Sequence, residues 1–372
     1  PKLYGRKFGE LSDVRAKRDF AFGARQLLEK GLNMSPDKPF RIMGDVGELH
    51  ILPPKYAYEV RNNEQLSFTM AAFKWFYAHL PGFEGFREGT NESHIMKLVA
   101  RHQLTHQLTL VTGAVSEECA LVLKDVYTDS PESRALVQEA KDLINPLLER
   151  RRAEKAEAER TGEKVTYNDA VEWLDDIASE KGAVYDPACA QLSLSVAALH
   201  STADFFTQVM FDIAQNPELV EPLREEVIAV LGKQGWSKNS LYNLKLMDSV
   251  LKESQRLKPI ALEYYKDPLK FDGYRFYNMR LEPGKESKAQ LVSATPDHMG
   301  FGYGFHACPG RFFASEEIKI ALSHILLKYD FKPVEGSSME PRKYGLNLNA
   351  NPTAKLSSRR KEENTIWQHK ME

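Results

Sequence analysis

The chain has 372 residues, 42% of them hydrophobic, enough apolar material for a large core in one big domain or two ordinary ones. Its 50 cationic and 52 anionic side chains leave no strong global field, which argues against nucleic acid as the main partner. Cys119, Cys189 and Cys308 lie far apart without CxxC spacing, so neither a disulfide framework nor a zinc site is expected, and a reducing compartment is the simpler reading.

Along the chain, short strand-like runs stand at Phe40 to Ile42 and His50 to Leu52. A helix is predicted from Ser133 to Thr161, with Leu136, Val137, Leu143, Ile144, Leu147 and Leu148 at helical spacing. Its second half mixes both signs, with Arg150 and Glu154, Lys155 and Glu159, and Glu157 and Arg160 three or four apart, as on a solvated face. The next helix runs from Pro187 to Gln215, with Asp186 as N-cap, Pro187 at the first helical position and Asn216-Pro217 at its end. It is apolar nearly all round and is therefore predicted to be buried inside a large protein. Pro217 opens an amphipathic helix closed by Gly232, and helical patterns return at Leu241 to Leu257 and Ala314 to Tyr329. Without repeats or low-complexity linkers, this reads as a single mainly α domain over 1–372 with small β-sheets. No stretch approaches the roughly 18 to 20 apolar residues of a spanning helix. The sequence opens at Pro1 without an initiator methionine, which leaves room for a removed N-terminal anchor or targeting segment.

The most informative segment is Phe301-Gly302-Tyr303-Gly304-Phe305-His306-Ala307-Cys308-Pro309-Gly310-Arg311, followed by a helical pattern. Gly302, Gly304 and Gly310 permit a tight loop whose backbone can approach a flat ligand. A cysteine just before a helix meets the positive end of the dipole and free amides, which favour thiolate over thiol. The segment closely resembles the heme-binding loop of cytochromes P-450, whose recurring phenylalanine, two glycines and cysteine are matched by Phe301, Gly304, Gly310 and Cys308. The resemblance implies that Cys308 is the axial ligand to heme iron. His306 stands where the family usually carries an arginine that contacts a heme propionate.

Two further signatures follow in the family's order. Glu253 and Arg256 share one helix face, and the resemblance implies that Arg275 joins them in a buried structural triad. Ala197-Ala198-Leu199-His200-Ser201-Thr202 resembles the family's central helix over the distal heme face, where an acid and an alcohol relay protons to dioxygen. Here His200 replaces the acid, Ser201 the alcohol and Ala198 the glycine; an imidazole can still shuttle protons near neutral pH. The plainer reading of His200 is a satisfied core histidine. By family position a helix from about Glu92 to Leu108 supplies another propionate contact; its usual tryptophan is missing, and Lys97, Arg101 and His94 are the candidates. His102 and His106 have the spacing of a zinc helix but lack the glutamate that a metalloprotease needs. Asn91-Glu92-Ser93 spells a glycosylation sequon, relevant only in a secretory lumen.

The resemblance implies a heme-thiolate monooxygenase that binds heme b and takes electrons from NADPH through a cytochrome reductase. Its reaction inserts one oxygen atom into a hydrophobic small molecule such as a terpenoid, steroid or alkaloid. The loop and the histidine on the central helix look similar to those of fungal enzymes of specialised metabolism, implying attachment to the cytosolic face of the endoplasmic reticulum membrane through an N-terminal anchor absent here. Alternatives are oxidative coupling, rearrangement or dehydration on the same cofactor, and a non-catalytic heme-binding sensor. Against the family's pattern the chain is too short after Glu132 and between Arg256 and Arg275, which implies missing segments near 132–133 and 261–263.

Overall fold

The computed structural model describes residues 1–81, 83–104, 133–258, 267 and 269–361, with side chains of the helix that starts at 133 described from residue 138. Leu3–Tyr4 (β1), Phe40–Gly44 (β2) and Gly47–Ile51 (β3) form a three-stranded sheet, with β1 parallel and β3 antiparallel to β2. The helix Val14–Met34 lays Phe20, Ala24 and Leu28 against Phe40 and Ile42. Gly31 lets it approach: a Cβ there would stand 2.2 Å from the Phe40 ring. Both strands differ from the sequence expectation because a two-residue turn, Asp45-Val46, pairs Gly44 with Gly47 and moves the second strand towards the N-terminus.

The helical body is built around the central helix, Pro187–Gln215. Its ends follow from local chemistry: the Asp186 side chain accepts from the Cys189 N–H at 3.0 Å, Pro187 occupies the first turn, and Asn216 ends the helix. Val209 and Ile213 near its C-terminus pack with Leu223 and Val227 of Val220–Gln234, with Met247, Val250 and Leu251 of Lys245–Leu257, and with Ile318, Leu322 and Leu326 of Arg311–Lys328. Each such side chain taken out of water contributes about 1.5–3 kcal/mol. Tyr329–Pro333 (β4) pairs with Leu356–Arg360 (β7), and Arg342–Tyr344 (β5) with Asn347–Asn349 (β6), both antiparallel. The molecule is mainly helical with small sheets, and no helix among the described residues is long and apolar enough to cross a membrane.

Several expectations are corrected. The central helix is not buried all round: from residue 191 to 204 it is half-buried or exposed, with Val196 45% and Leu199 62% exposed. The apolar middle of the helix therefore faces open space, and only its two ends belong to the core. Gly232 lies inside Val220–Gln234, and Gly235, at φ +60°, ends that helix. The pattern from Leu241 to Leu257 divides into Lys238–Asn243 and Lys245–Leu257. The helix after the cysteine loop begins at Arg311, three residues before the periodic apolar pattern shows it. The charged half of Ser133–Thr161 is more than a solvated face: Arg151 bonds Asp169 at 2.8 Å, and Arg152 and Lys155 pair with Asp175 and Glu172 of the helix Ala170–Lys181.

Lys245–Leu257 carries the most unusual burial. Leu246 through Arg256 are all buried, including Asp248, Lys252, Glu253 and Arg256, so each of these charges needs an internal partner. Asp248 pairs with Lys319 at 2.6 Å and with Arg280, and Lys252 donates to the carbonyls of Lys288 and Gln290 at 3.0 and 2.6 Å.

Candidate active site

The cysteine loop is a small closed turn. Cys308 N–H donates to the Phe301 carbonyl at 2.7 Å, Gly302 N–H to Met299 at 2.8 Å, and Ala307 N–H to Gly304 at 3.1 Å. Gly302 and Gly304 adopt φ of +73° and +68°, which L side chains rarely tolerate. A Cβ on Gly304 would also lie 2.6 Å from the Arg61 backbone oxygen. Gly310 needs no such freedom at φ −86°, and a Cβ there would meet no protein atom within 4 Å.

Arg61 braces this turn from a distance in sequence that no local signal bridges. Its carbonyl and the Asn62 Oδ1 both accept from the Phe305 N–H at 3.0 Å. Its guanidinium donates to the Tyr303 hydroxyl at 2.9 Å and stacks on Tyr58 and Tyr303, 5.3 and 5.4 Å from the ring centres.

Cys308 lies just ahead of the helix Arg311–Lys328, as expected. Burial pushes its thiol pKa up, and the Gly310 N–H, the Arg311 charge and the Arg311 N–H pull it back only in part. Desolvation thus opposes the thiolate, while the two amides at the helix start and the Arg311 charge favour it.

Positive groups gather beside it. Lys97 donates to the Phe305 carbonyl at 3.1 Å and lies 3.5 Å from that ring's centre. Burial and the neighbouring Arg101 charge lower its pKa. Arg101 also repels Arg311, whose pKa falls mainly through burial. The His306 Nε2 is buried and has no hydrogen-bond partner among the described residues. Lys97 and Arg101 sit on two short turns, Ile95–Leu98 and Val99–Leu104, the second wound as a π-helix; the expected helix beyond residue 104 lies outside the described residues, as do His106 and Cys119. Cations with no carboxylate partner among the described residues, an imidazole nitrogen without a hydrogen bond among them and a desolvated thiol suit a flat metal-bearing group with anionic arms, so these residues fit a heme.

The sequence-derived triad is assembled in the core. Arg256 donates to both Glu253 oxygens at 2.7 and 2.8 Å, and Arg275 Nε lies 3.1 Å from both. Glu253 is 0% and Arg256 1% exposed. On the central helix, His200 and Ser201 are exposed and Thr202 is half-buried, so His200 is not a core histidine. The Ser201 hydroxyl donates to the Ala197 carbonyl at 3.1 Å. One turn on, Asp204 is held by Lys258 at 2.8 Å and by the Ala350 N–H at 2.6 Å. Gly302 and Phe301 shape the loop, and among the described residues no group of three histidine, cysteine or acidic side chains could hold a metal.

A model of the Cytochrome P450 family matches residues 120–262 and 261–357. The chain is 72% identical to a cytochrome P450 monooxygenase 1 of Gibberella fujikuroi, over 89% of this chain and 99% of that protein. It is 36% identical to the cytochrome P450 monooxygenase hepE of Aspergillus oryzae, over 95% of this chain and 84% of the relative, and 35% identical to esdpI of Penicillium shearii, over 95% and 90%. The Cys308 loop, the Glu253 triad and relatives aligned along most of their length together show that the chain belongs to the cytochrome P450 family of monooxygenases.

Proposed function

We propose that Cys308 is the axial ligand of heme b, and that the enzyme oxidises a hydrophobic specialised metabolite of terpenoid, steroid or alkaloid kind with electrons from NADPH through a cytochrome reductase. The observation that carries this reading is the Phe301-to-Cys308 turn, which fixes a desolvated sulfur at a helix start near Lys97 and Arg311, whose described neighbours include no carboxylate partner. When bound, the heme supplies the activation of dioxygen for insertion of one oxygen atom. Lys97, Arg101 and His306 are assigned to its propionates, and Phe301, Gly302, Gly304 and Gly310 to the surface on which it lies. His200 takes protons from solvent on its exposed turn. The Ser201 proton is committed to the Ala197 carbonyl, so Ser201 offers lone pairs to water, and the half-buried Thr202 beside it supplies a second hydroxyl. The names of the relatives from Gibberella, Aspergillus and Penicillium support the monooxygenase reading.

The optical spectrum of the reduced protein with carbon monoxide tests the ligand: the thiolate band should appear, and Cys308→Ala should abolish it. Labelled dioxygen traced into product separates monooxygenation from coupling, rearrangement or dehydration, and NADPH use coupled to product excludes a sensor. The same reading puts the enzyme on the cytosolic face of the endoplasmic reticulum membrane. It is supported by an exposed apolar stripe, Leu11, Val14 and Phe22, continued by Tyr344 edge-to-face on Phe22. Fractionation of cells is the check. The missing segment near 261–263 is part of the proposal, supported by a family match that breaks into two pieces at 261–262, and the one near 132–133 rests on the resemblance alone. The intact mass of the protein from its source would decide it.

A further inference from the structure

We infer that Arg311 is a positioning residue that holds the Cys308 peptide in place and supplies a counter-charge to its sulfur, raising the reduction potential of the metal. This rests on the reading of Cys308 as the heme ligand. Pro309 carries no N–H, so the residue after the cysteine cannot donate to the sulfur. Only the amides of Gly310 and Arg311 are directed at it. Arg311 touches Cys308 a second time: its Nη1 donates to the Cys308 carbonyl at 2.8 Å while its Nε donates to the Val292 carbonyl at 3.2 Å. The planar fork thereby ties the ligand peptide to the preceding loop, and the guanidinium packs 4.5 Å from the Phe312 ring centre. No carboxylate pairs with Arg311 among the described residues, and its charge acts on the Cys308 sulfur and on Arg101. A cation fixed beside a thiolate-ligated metal stabilises the reduced form, which carries one more electron, over the oxidised form. The charge tunes the potential and the fork sets the geometry.

The test uses the heme-loaded wild type, Arg311→Gln and Arg311→Lys, reading the carbon monoxide band first and the midpoint potential second. Absence of the thiolate band in the wild type removes the ligand assignment itself, and this inference with it. With the band present, Arg311→Gln, which keeps a donor for the Cys308 carbonyl but no charge, is expected at a more negative potential, and Arg311→Lys near the wild-type value. An unchanged potential in Arg311→Gln, or equal shifts in both variants, overturns the counter-charge. Should Arg311→Gln fail to retain heme, Arg311→Lys decides: retention there supports the inference, and loss in both leaves only an architectural role and overturns it.

Discussion

Both oxygens of Glu253 are committed, to Arg256, to Arg275 and, through one of them, to the Asp272 N–H at 2.9 Å. A carboxylate this far inside is tolerated only because two guanidinium groups surround it. Glu253→Gln keeps the shape and removes the charge, leaving buried cations unmatched. The expected loss is about 3 to 5 kcal/mol of stability, read as a lower denaturant midpoint. An unshifted midpoint would mean that the cluster is not held together by charge. His200 belongs to the same scale. If it delivers protons, His200→Ala should lower NADPH-supported turnover by roughly 10²–10⁴-fold with substrate binding unchanged. Turnover equal to the wild type would transfer the task to Thr202 or to water alone.

Among the elements, the ends of the central helix were legible because capping is local: Asp186, Pro187 and Asn216 act on backbone within a few residues of themselves. The Cys308 loop was legible for a related reason, since its glycines encode turn geometry directly. What the helix faces was not, because apolar side chains look alike whether they meet a core or lie open, and residues 191 to 204 turned out half-buried or exposed. Arg61 escaped notice altogether. It lies 242 residues from Tyr303, and nothing near it in the chain marks an arginine as a brace. Beyond the triad, the burial of Asp248 and Lys252 was equally hidden, since their charges resemble those of a surface helix until their partners from 280 to 319 are in place. Gly304 joins the local and the distant parts of this element. Gly304→Ala places a methyl group 2.6 Å from the Arg61 oxygen at a φ of +68°, so the turn must open. Heme content per protein should fall below that of the wild type.

For the whole molecule, the region beneath the cysteine loop carries a pH dependence of predictable sign. Burial pushes the Lys252 pKa from 10.5 down to about 7, with Asp248 pulling it up and Arg280 pushing it further down. Burial, with the Lys252 and Arg256 charges, takes His298 to about 3. For both groups the unfolded chain binds protons more readily than the folded one. His298 therefore makes stability fall as pH drops from about 6.5 to 3, and Lys252 makes it rise from about 7 to 10.5. Asp212, raised by burial to about 6, and Glu317, raised to about 7, act in the opposite sense, but below neutrality. The alkaline window is thus free of these two opposing carboxylates and is the place to look. One proton of difference corresponds to about 1.4 kcal/mol per pH unit. Lys252→Met fills the same space without titrating. It loses the bonds to the carbonyls of Lys288 and Gln290, so its stability starts lower. Its stability should nevertheless rise less steeply between pH 7 and 10 than that of the wild type, by up to that slope. Urea midpoints measured at pH steps for the two proteins supply the comparison, and parallel curves would show that Lys252 stays charged inside the fold, with the carbonyls of Lys288, Gln290 and Ser293 sufficient to hold an ammonium ion away from water.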